Sequence, residues 1–187
     1  MQKIDIQRIK AVLLYILNKM PDRRRDIYYI VKTAFCAQKN HLVEYAIPLF
    51  NDNIVALPFG PVPSLIYNIL RVARGDRSPY RFCDKEVLSQ VVDTISYQDE
   101  SFSAKEMYDI ECLSISNIKC LDAAIDEISN MGFGEIMDKT HGNEWDRAYH
   151  DGGNRIMSNL AIAKENGASD EILTHLSETL YFDKVSD

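Results

Sequence analysis

Residues 32–67 read KTAFCAQKNHLVEYAIPLFNDNIVALPFGPVPSLIY. The stretch holds the end of a helix, a run through Pro48-Leu49-Phe50, a Gly60-Pro61-Val62-Pro63 corner and the start of another helix. The first helix is expected over about 24–40, with Ile27, Ile30, Val31, Ala34 and Phe35 as its apolar positions. Asn40 and His41 mark its expected end. Val43, Tyr45 and Ile47 then alternate, as do Ile54 and Ala56, so two short strands or extended segments are expected here. Asn51-Asp52-Asn53 between them is turn chemistry, because Asn and Asp tolerate left-handed backbone and bond their own main chain. Each proline of the corner biases the residue before it away from helix. Pro63 suits the first helical position, where its missing N–H costs nothing. The next helix is expected to run to Ala73, with Leu65, Ile66, Ile69 and Leu70 inward. Gly75 can close it in left-handed geometry.

Outward from this stretch the pattern stays helical. Residues 5–20 carry Ile6, Ile9, Leu13, Ile16 and Met20 at spacings of three and four. Asp5 is placed to cap this helix and Pro21 to stop it. Asp84 is placed to cap a helix bearing Val87, Leu88, Val91, Val92 and Ile95. Residues 98–114 are ambiguous, with a strand over Met107–Leu113 opposed by Glu106, Asp109 and Glu111. A helix over 116–131 has the seam Ile118, Leu121, Ile125 and Ile128, and Gly132 ends it. Shorter helices follow around 133–140, from near Asn143, and at about 154–165 and 169–181. Asn166-Gly167 separates the last two, and Ser169 caps the final one. The expected fold is mainly α: a single helix-dominated domain over residues 1–187 with a minor short antiparallel β element.

Composition is ordinary for a globular chain of 187 residues, 46% hydrophobic and 26% charged. Its charge is uneven. Residues 1–83 hold 13 Lys and Arg against 6 Asp and Glu, whereas residues 84–187 hold 8 against 22. The acidic half opposes a duplex-DNA role, since phosphate neutralisation dominates such affinity. Arg23-Arg24-Arg25 is the basic focus. It reads as a solvated loop, a contact for an acidic partner surface, or a contact for nucleic acid. No pair of the four cysteines has CxxC spacing, and MQKIDIQRIK lacks the apolar core of a signal peptide. A cytoplasmic protein with reduced thiols is expected, with no membrane span.

A search for chemistry turns up little. His41, His141, His150 and His175 have no HExxH and no zinc-type ligand spacing. His141 and His150 could meet with Asp146 or Glu144, but loop histidines at this density are common. There is no G-x-S-x-G elbow and no P-loop, and Gly132-Phe133-Gly134 follows a helix, so it reads as a helix terminus. Carboxylate pairs such as Asp122/Asp126 fall on a solvated helix face. No catalytic residue, metal or cofactor is expected.

The order of several short motifs resembles one family, the Panacea antitoxin domain, also described as SocA-like or phage-associated GepA-like. Lys32, Phe35, Ala37 and Gln38 fit its K-L-L-Y-F-A-Q helix, from which Thr33, Ala34 and Cys36 depart. His41-Leu42 comes next, then Pro48-Leu49-Phe50, acidic Asp52, Ile54 and Ala56, the corner Gly60-Pro61-Val62 and Tyr67. Further on, Thr140-His141 and Trp145 match a T-H followed by P-W, with Glu144 where proline is usual. Ala163–Ser169 resembles the family's link into a last helix, so the resemblance spans about residues 24–183. It implies a non-enzymatic antitoxin of a two-gene toxin–antitoxin system, often on prophages or mobile elements. The cognate toxin, encoded by an adjacent gene, is neutralised by direct protein contact; alternatively the chain is an adaptor delivering its partner to a protease, or a small nucleic-acid-binding regulator. Nucleic acid is the less favoured partner, and self-association into a homo-oligomer is left open. The motif residues read as structural, with Trp145 and Phe50 filling volume. A buried Trp145 would make Trp145→Ala cost roughly 3–5 kcal/mol. A toxin with a basic surface would contact residues 84–187, above all the exposed face of helix 116–131, more than Arg23–Arg25.

Overall fold

The second helix is buried on nearly every side, and the rest of the fold is arranged around it. The computed structural model describes residues 5–76, 85–151 and 155–185. Helices α1 (Ile6–Lys19) and α2 (Ile27–Tyr45) come first, joined by a single 3-10 turn at Asp22–Arg24. Asp5 accepts a bond from the Arg8 N–H and Asp26 one from the Tyr29 N–H, so each helix opens on a carboxylate cap. Every residue from Tyr29 to Gln38 is buried. A helix buried all round needs packing on several faces, and α2 packs on α1, α3, α5, α8, α9 and β2.

The helix outruns its expected end. His41 and Leu42 are buried and continue the α2 face, and the helix closes only at Ala46, which takes a left-handed conformation with φ 57°. The alternation of Val43, Tyr45 and Ile47 is therefore not a strand. Burial of Leu42 and His41, one turn after Gln38, outweighs the local pattern.

The corner also differs from its reading. Strands β1 (Ile54–Leu57) and β2 (Gly60–Pro63) form an antiparallel hairpin around Pro58-Phe59, with Leu57 opposite Gly60 and Ile54 opposite Pro63. Pro63 flanks helix α3 (Ser64–Ala73) as its extended N-cap residue and is not its first helical residue. It has no side chain to cap with, so Asp52 does so from outside. The Asp52 carboxylate accepts from the Ser64 hydroxyl at 2.9 Å and from the Leu65 and Ile66 N–H groups at 2.8 and 3.3 Å. Gly75 closes α3 with φ +94°, as expected.

Asp84, and the loop beyond Asp76, lie outside the described residues, as does the side chain of Val87. Helix α4 (Lys85–Val92) ends before Ile95, which begins a second antiparallel hairpin, β3 (Ile95–Gln98) and β4 (Ser101–Ala104). Its turn is Asp99-Glu100, both with positive φ (50° and 61°). No strand forms over Met107–Leu113, where a 3-10 turn covers Ile110–Cys112. Helix α5 (Ile115–Asn130) crosses α2, opened by a reciprocal Ser114/Asn117 capping box. It ends at Met131, and Gly132 instead opens α6 (Phe133–Thr140), its N–H bonded to Glu135. Helices α7 (Asn143–His150), α8 (Asn159–Glu165) and α9 (Asp170–Val185) follow; α8 begins five residues later than expected. Between α7 and α8, residues 155–157 lie against β1, where the Ala56 N–H donates to the Arg155 carbonyl at 2.9 Å and the Met157 N–H to Ile54 at 2.8 Å. One apolar cluster draws side chains from α1 through α9, down to Leu176. The fold is mainly α with two small two-stranded antiparallel sheets.

Two of the three clustered arginines are used inside the fold. Arg24 lies over the Tyr29 ring at 4.3 Å, bonds its hydroxyl, and donates to the Ser129 carbonyl at 3.1 Å. Arg25 donates to the Met20 carbonyl and pairs with Asp22 at 2.7 Å. Arg23 is exposed.

Candidate functional site

The motif residues meet in three places along α2. The densest lies at the tip of the β1–β2 hairpin. Lys32 has no exposed surface, and its ammonium donates to the Pro61 carbonyl at 3.0 Å. Gly60 has φ +95°, and a Cβ built there would overlap the Lys32 ammonium and stand 3.0 Å from the His141 ring. His141 stacks on Trp145 at 3.8 Å with the rings 7° apart, and Trp145 stacks in turn on Tyr149 at 5.0 Å. The Trp145 N–H donates to the Leu57 carbonyl at 3.0 Å, at the other side of the same hairpin. Lys32, Gly60, Pro61, His141 and Trp145 thus form one clamp on the hairpin, 109 residues of chain separating Lys32 from His141.

The electrostatics of the clamp follow from burial. Taking an ammonium out of water disfavours its charged form, and Lys32 is pushed down to about 7. His141 is also lowered, by burial first and then by the neighbouring Lys32. Its Nε2 is buried with no hydrogen-bond partner. Burial thereby shifts both groups toward their neutral forms.

A second cluster surrounds Gln38. Its Oε1 accepts from the Leu49 and Phe50 N–H groups at 2.8 and 3.2 Å, and its Nε2 is 3.4 Å from the Phe50 carbonyl. The amide reproduces the bonds a neighbouring strand would make, and so holds Pro48-Leu49-Phe50 in place with Phe50 in the core. The third is His41, whose Nδ1 meets the Ile47 carbonyl at 2.8 Å while Nε2 faces Ser116 and Asn117, both at 3.1 Å. It ties the end of α2 to the start of α5. Val62 is buried, Thr140 is buried with its hydroxyl on the Ile136 carbonyl, and Tyr67 is half-buried with Arg71 5.7 Å from its ring.

Sequence reading missed two polar anchors. Glu144, in the place where proline is usual, is buried and accepts from the Ser158 N–H at 2.5 Å and from Arg147 at 2.7 and 2.8 Å. Glu165 reaches back to the Glu144 N–H at 2.9 Å, closing the start of α7 against Gly142. A polar cleft of about 200 Å³ opens there, lined by Lys39, Lys139, Asn143 and Glu165 among others.

These contacts are internal, and Lys32 is unreachable by a solute in this conformation. His150 faces Asp146 on the surface of α7 and touches the His141 stack only edge-on, at Tyr149. Among the described residues no group of three or more His, Cys, Asp or Glu side chains is placed to hold a metal ion. No helix among them is long and apolar enough to cross a membrane.

Trp145 is partly buried, packed against the core but not fully enclosed. Its outer ring face is spent on stacking with Tyr149. The expected cost of Trp145→Ala falls accordingly, to about 2 kcal/mol, below that of a fully buried aromatic. Trp145→Phe keeps the stack and loses only the bond to Leu57, at about 1 kcal/mol. Urea unfolding of the two variants measures both; a wild-type midpoint for Trp145→Ala would mean that the stack contributes nothing to the clamp.

The family model for the antitoxin SocA-like Panacea domain matches residues 30–146. The chain belongs to this antitoxin-like family. The matched segment runs from within α2 into α7 and contains the motif residues from Lys32 to Trp145, but not the anchor Glu165. No curated protein and no solved structure gives a significant match.

Proposed function

We propose that this protein is a non-enzymatic antitoxin acting in the cytoplasm as one domain, and that it neutralises a toxin encoded by an adjacent gene through direct protein contact. The observation that carries this reading is the match of the antitoxin family over residues 30–146. The use of the motif side chains supports it. Lys32, Gln38, His41 and Asp52 spend their polar atoms on backbone and side chains of the same chain, as structural residues do. The domain is then a scaffold, and specificity for a toxin resides on its surface.

Co-expression tests the reading. The neighbouring gene product alone is expected to arrest growth. With this protein present, growth is expected to return and the two chains to co-purify. Rescue with loss of the toxin from the cell and no stable complex would mark an adaptor for proteolysis instead. A neighbour that is harmless alone would remove the antitoxin reading.

A further inference from the structure

The surface where the 106–112 loop meets α5 combines large exposed apolar side chains with a rim of one charge sign. Ile115 is 89% exposed, Met107 68% and Ile110 52%. These are the chain's most exposed large aliphatic side chains among the described residues. Leaving three such groups in water has no folding benefit, and grouped apolar exposure marks interaction sites.

Their placement is fixed by contacts beneath them. Tyr108 packs its ring on Tyr15 of α1 at 4.6 Å, and the Tyr15 hydroxyl donates to Asp122 of α5 at 2.6 Å. The loop therefore packs on α1, with Tyr15 between it and Asp122 of α5, and runs directly into Ser114, the cap of α5. Ile115, Lys119, Asp122, Ala123 and Asp126 are exposed at helical spacing along the outward stripe of α5. Lys10 fastens the start of the loop by pairing with Glu106 at 2.6 Å.

The rim is acidic. Asp109, Glu111, Asp122 and Asp126 are all exposed. Of the cations close by, Lys10 pairs with Glu106, Lys119 with Glu44 at 2.7 Å and Arg8 with Asp5 at 3.6 Å, while exposed Lys105 donates to the Asp93 carbonyl at 3.1 Å. Asp109 and Glu111 flank Ile110 and have no ion pair among the described residues; the Asp109 carboxylate meets only the Glu111 N–H and the Cys112 thiol. An apolar centre inside an unneutralised carboxylate rim is complementary to a segment of opposite pattern.

We propose that this face docks the toxin, and that the docked element is a basic segment presenting apolar side chains to Met107, Ile110 and Ile115. The inference rests on the antitoxin reading above and adds the surface and the chemistry of the partner. A rival patch exists at Phe59 (61% exposed) and Phe133 (47%). Its rings already pack on one another, Phe133 standing 4.6 Å from Tyr28 and 5.8 Å from Phe59. The Phe133 carbonyl also accepts from the Tyr28 hydroxyl at 3.2 Å, so this pair is already tied into the fold's own packing.

The test uses the full chain and the adjacent gene product, with binding followed kinetically at low and high salt. Ile110→Ser with Ile115→Ser is expected to weaken binding at least tenfold. Asp109→Lys with Glu111→Lys is expected to slow association several-fold at low salt, with the difference shrinking at high salt as charges are screened. Because all four side chains are outside the core, the melt of the isoleucine pair is expected to match wild type, and that of the charge pair to fall only slightly, by loss of the Asp109 bond to the Glu111 N–H. Phe59→Ser with Phe133→Ser is the comparison. If it abolishes binding while the other two pairs bind as wild type, the docking face is at the hairpin tip and this assignment is overturned. Wild-type chains that dimerise with concentration, and lose the dimer on Ile115→Ser, would give the face to a second copy instead. Absence of wild-type binding would overturn the antitoxin reading and this surface together, whereas unchanged binding of the two docking variants overturns the surface alone.

Discussion

Gly60→Ala is expected to destabilise the protein by about 3 kcal/mol, and Gly75→Ala by about 1 kcal/mol, although both glycines take nearly the same positive φ (+95° and +94°). An L side chain at positive φ brings its Cβ toward the backbone carbonyl, and this conformational term is common to the two sites. The surroundings differ. Nothing lies within 4 Å of a Cβ built at Gly75, whereas one built at Gly60 meets the Lys32 ammonium and the His141 ring. The ammonium is the end of a flexible side chain, but it is buried and bonded to Pro61, and His141 is held by its stack on Trp145. Neither can retreat without losing a contact, so overpacking adds about 1–3 kcal/mol. Urea unfolding of the two variants isolates that packing term as their difference. Equal losses would mean that Lys32 or His141 yields freely, and the clamp would be looser than its geometry indicates.

The clamp shows where sequence reading stops. Helix α1, the α5 seam, the Gly75 closure and the Ser169 cap follow from periodicity and capping residues that act within a few positions. The end of α2 does not, because the residues that carry it inward, Gln38 and His41, are polar and break the apolar pattern. Their burial is repaid by partners at Phe50, Ile47 and Asn117, which local reading cannot supply. The β3–β4 hairpin was hidden for another reason. A turn with two positive φ angles ordinarily announces itself through Asn-Gly or Asp-Gly, and here it is built from Asp99-Glu100. Ile95 then continued the apolar spacing of α4 and was assigned to it. At the site, the motif order names residues without giving their geometry. That Lys32, Gly60 and His141 close on one point depends on α2, the hairpin and the α6–α7 junction coming together, and no spacing in the chain encodes that distance. Glu144 was the available signal: a carboxylate substituting for proline within a matched motif, turned inward to bond Ser158.

The largest single effect is expected at Lys32. Lys32→Ala removes a long buried side chain, leaves a cavity beneath the hairpin and strips the Pro61 carbonyl of its donor, for a loss of about 3–5 kcal/mol. Lys32→Met fills most of the same volume and separates charge from size. Burial lowers the lysine from 10.5 to about 7, so between these values the unfolded chain binds a proton that the folded protein does not. Stability must then rise with pH through that window. The window is cleanest from pH 7 to 9. Below it, His41 and His141, both lowered from 6.5 by burial, take up protons on unfolding and make stability fall as pH falls. Above it, Cys36 and Cys120, both raised from 9.0, keep protons that the unfolded chain has lost, and stability declines with further rise. Between those limits Lys32 dominates, and wild type is expected to gain about 2 kcal/mol from pH 7 to 9. Lys32→Met should lack this rise, flat to about pH 8 and then declining slightly as the thiols of the unfolded chain ionise, less stable than wild type at pH 9 and close to it at pH 7. Urea unfolding at half-unit pH steps reads both curves. Parallel curves would show that Lys32 keeps its proton in the folded state, and that the hairpin is clamped by a charged ammonium.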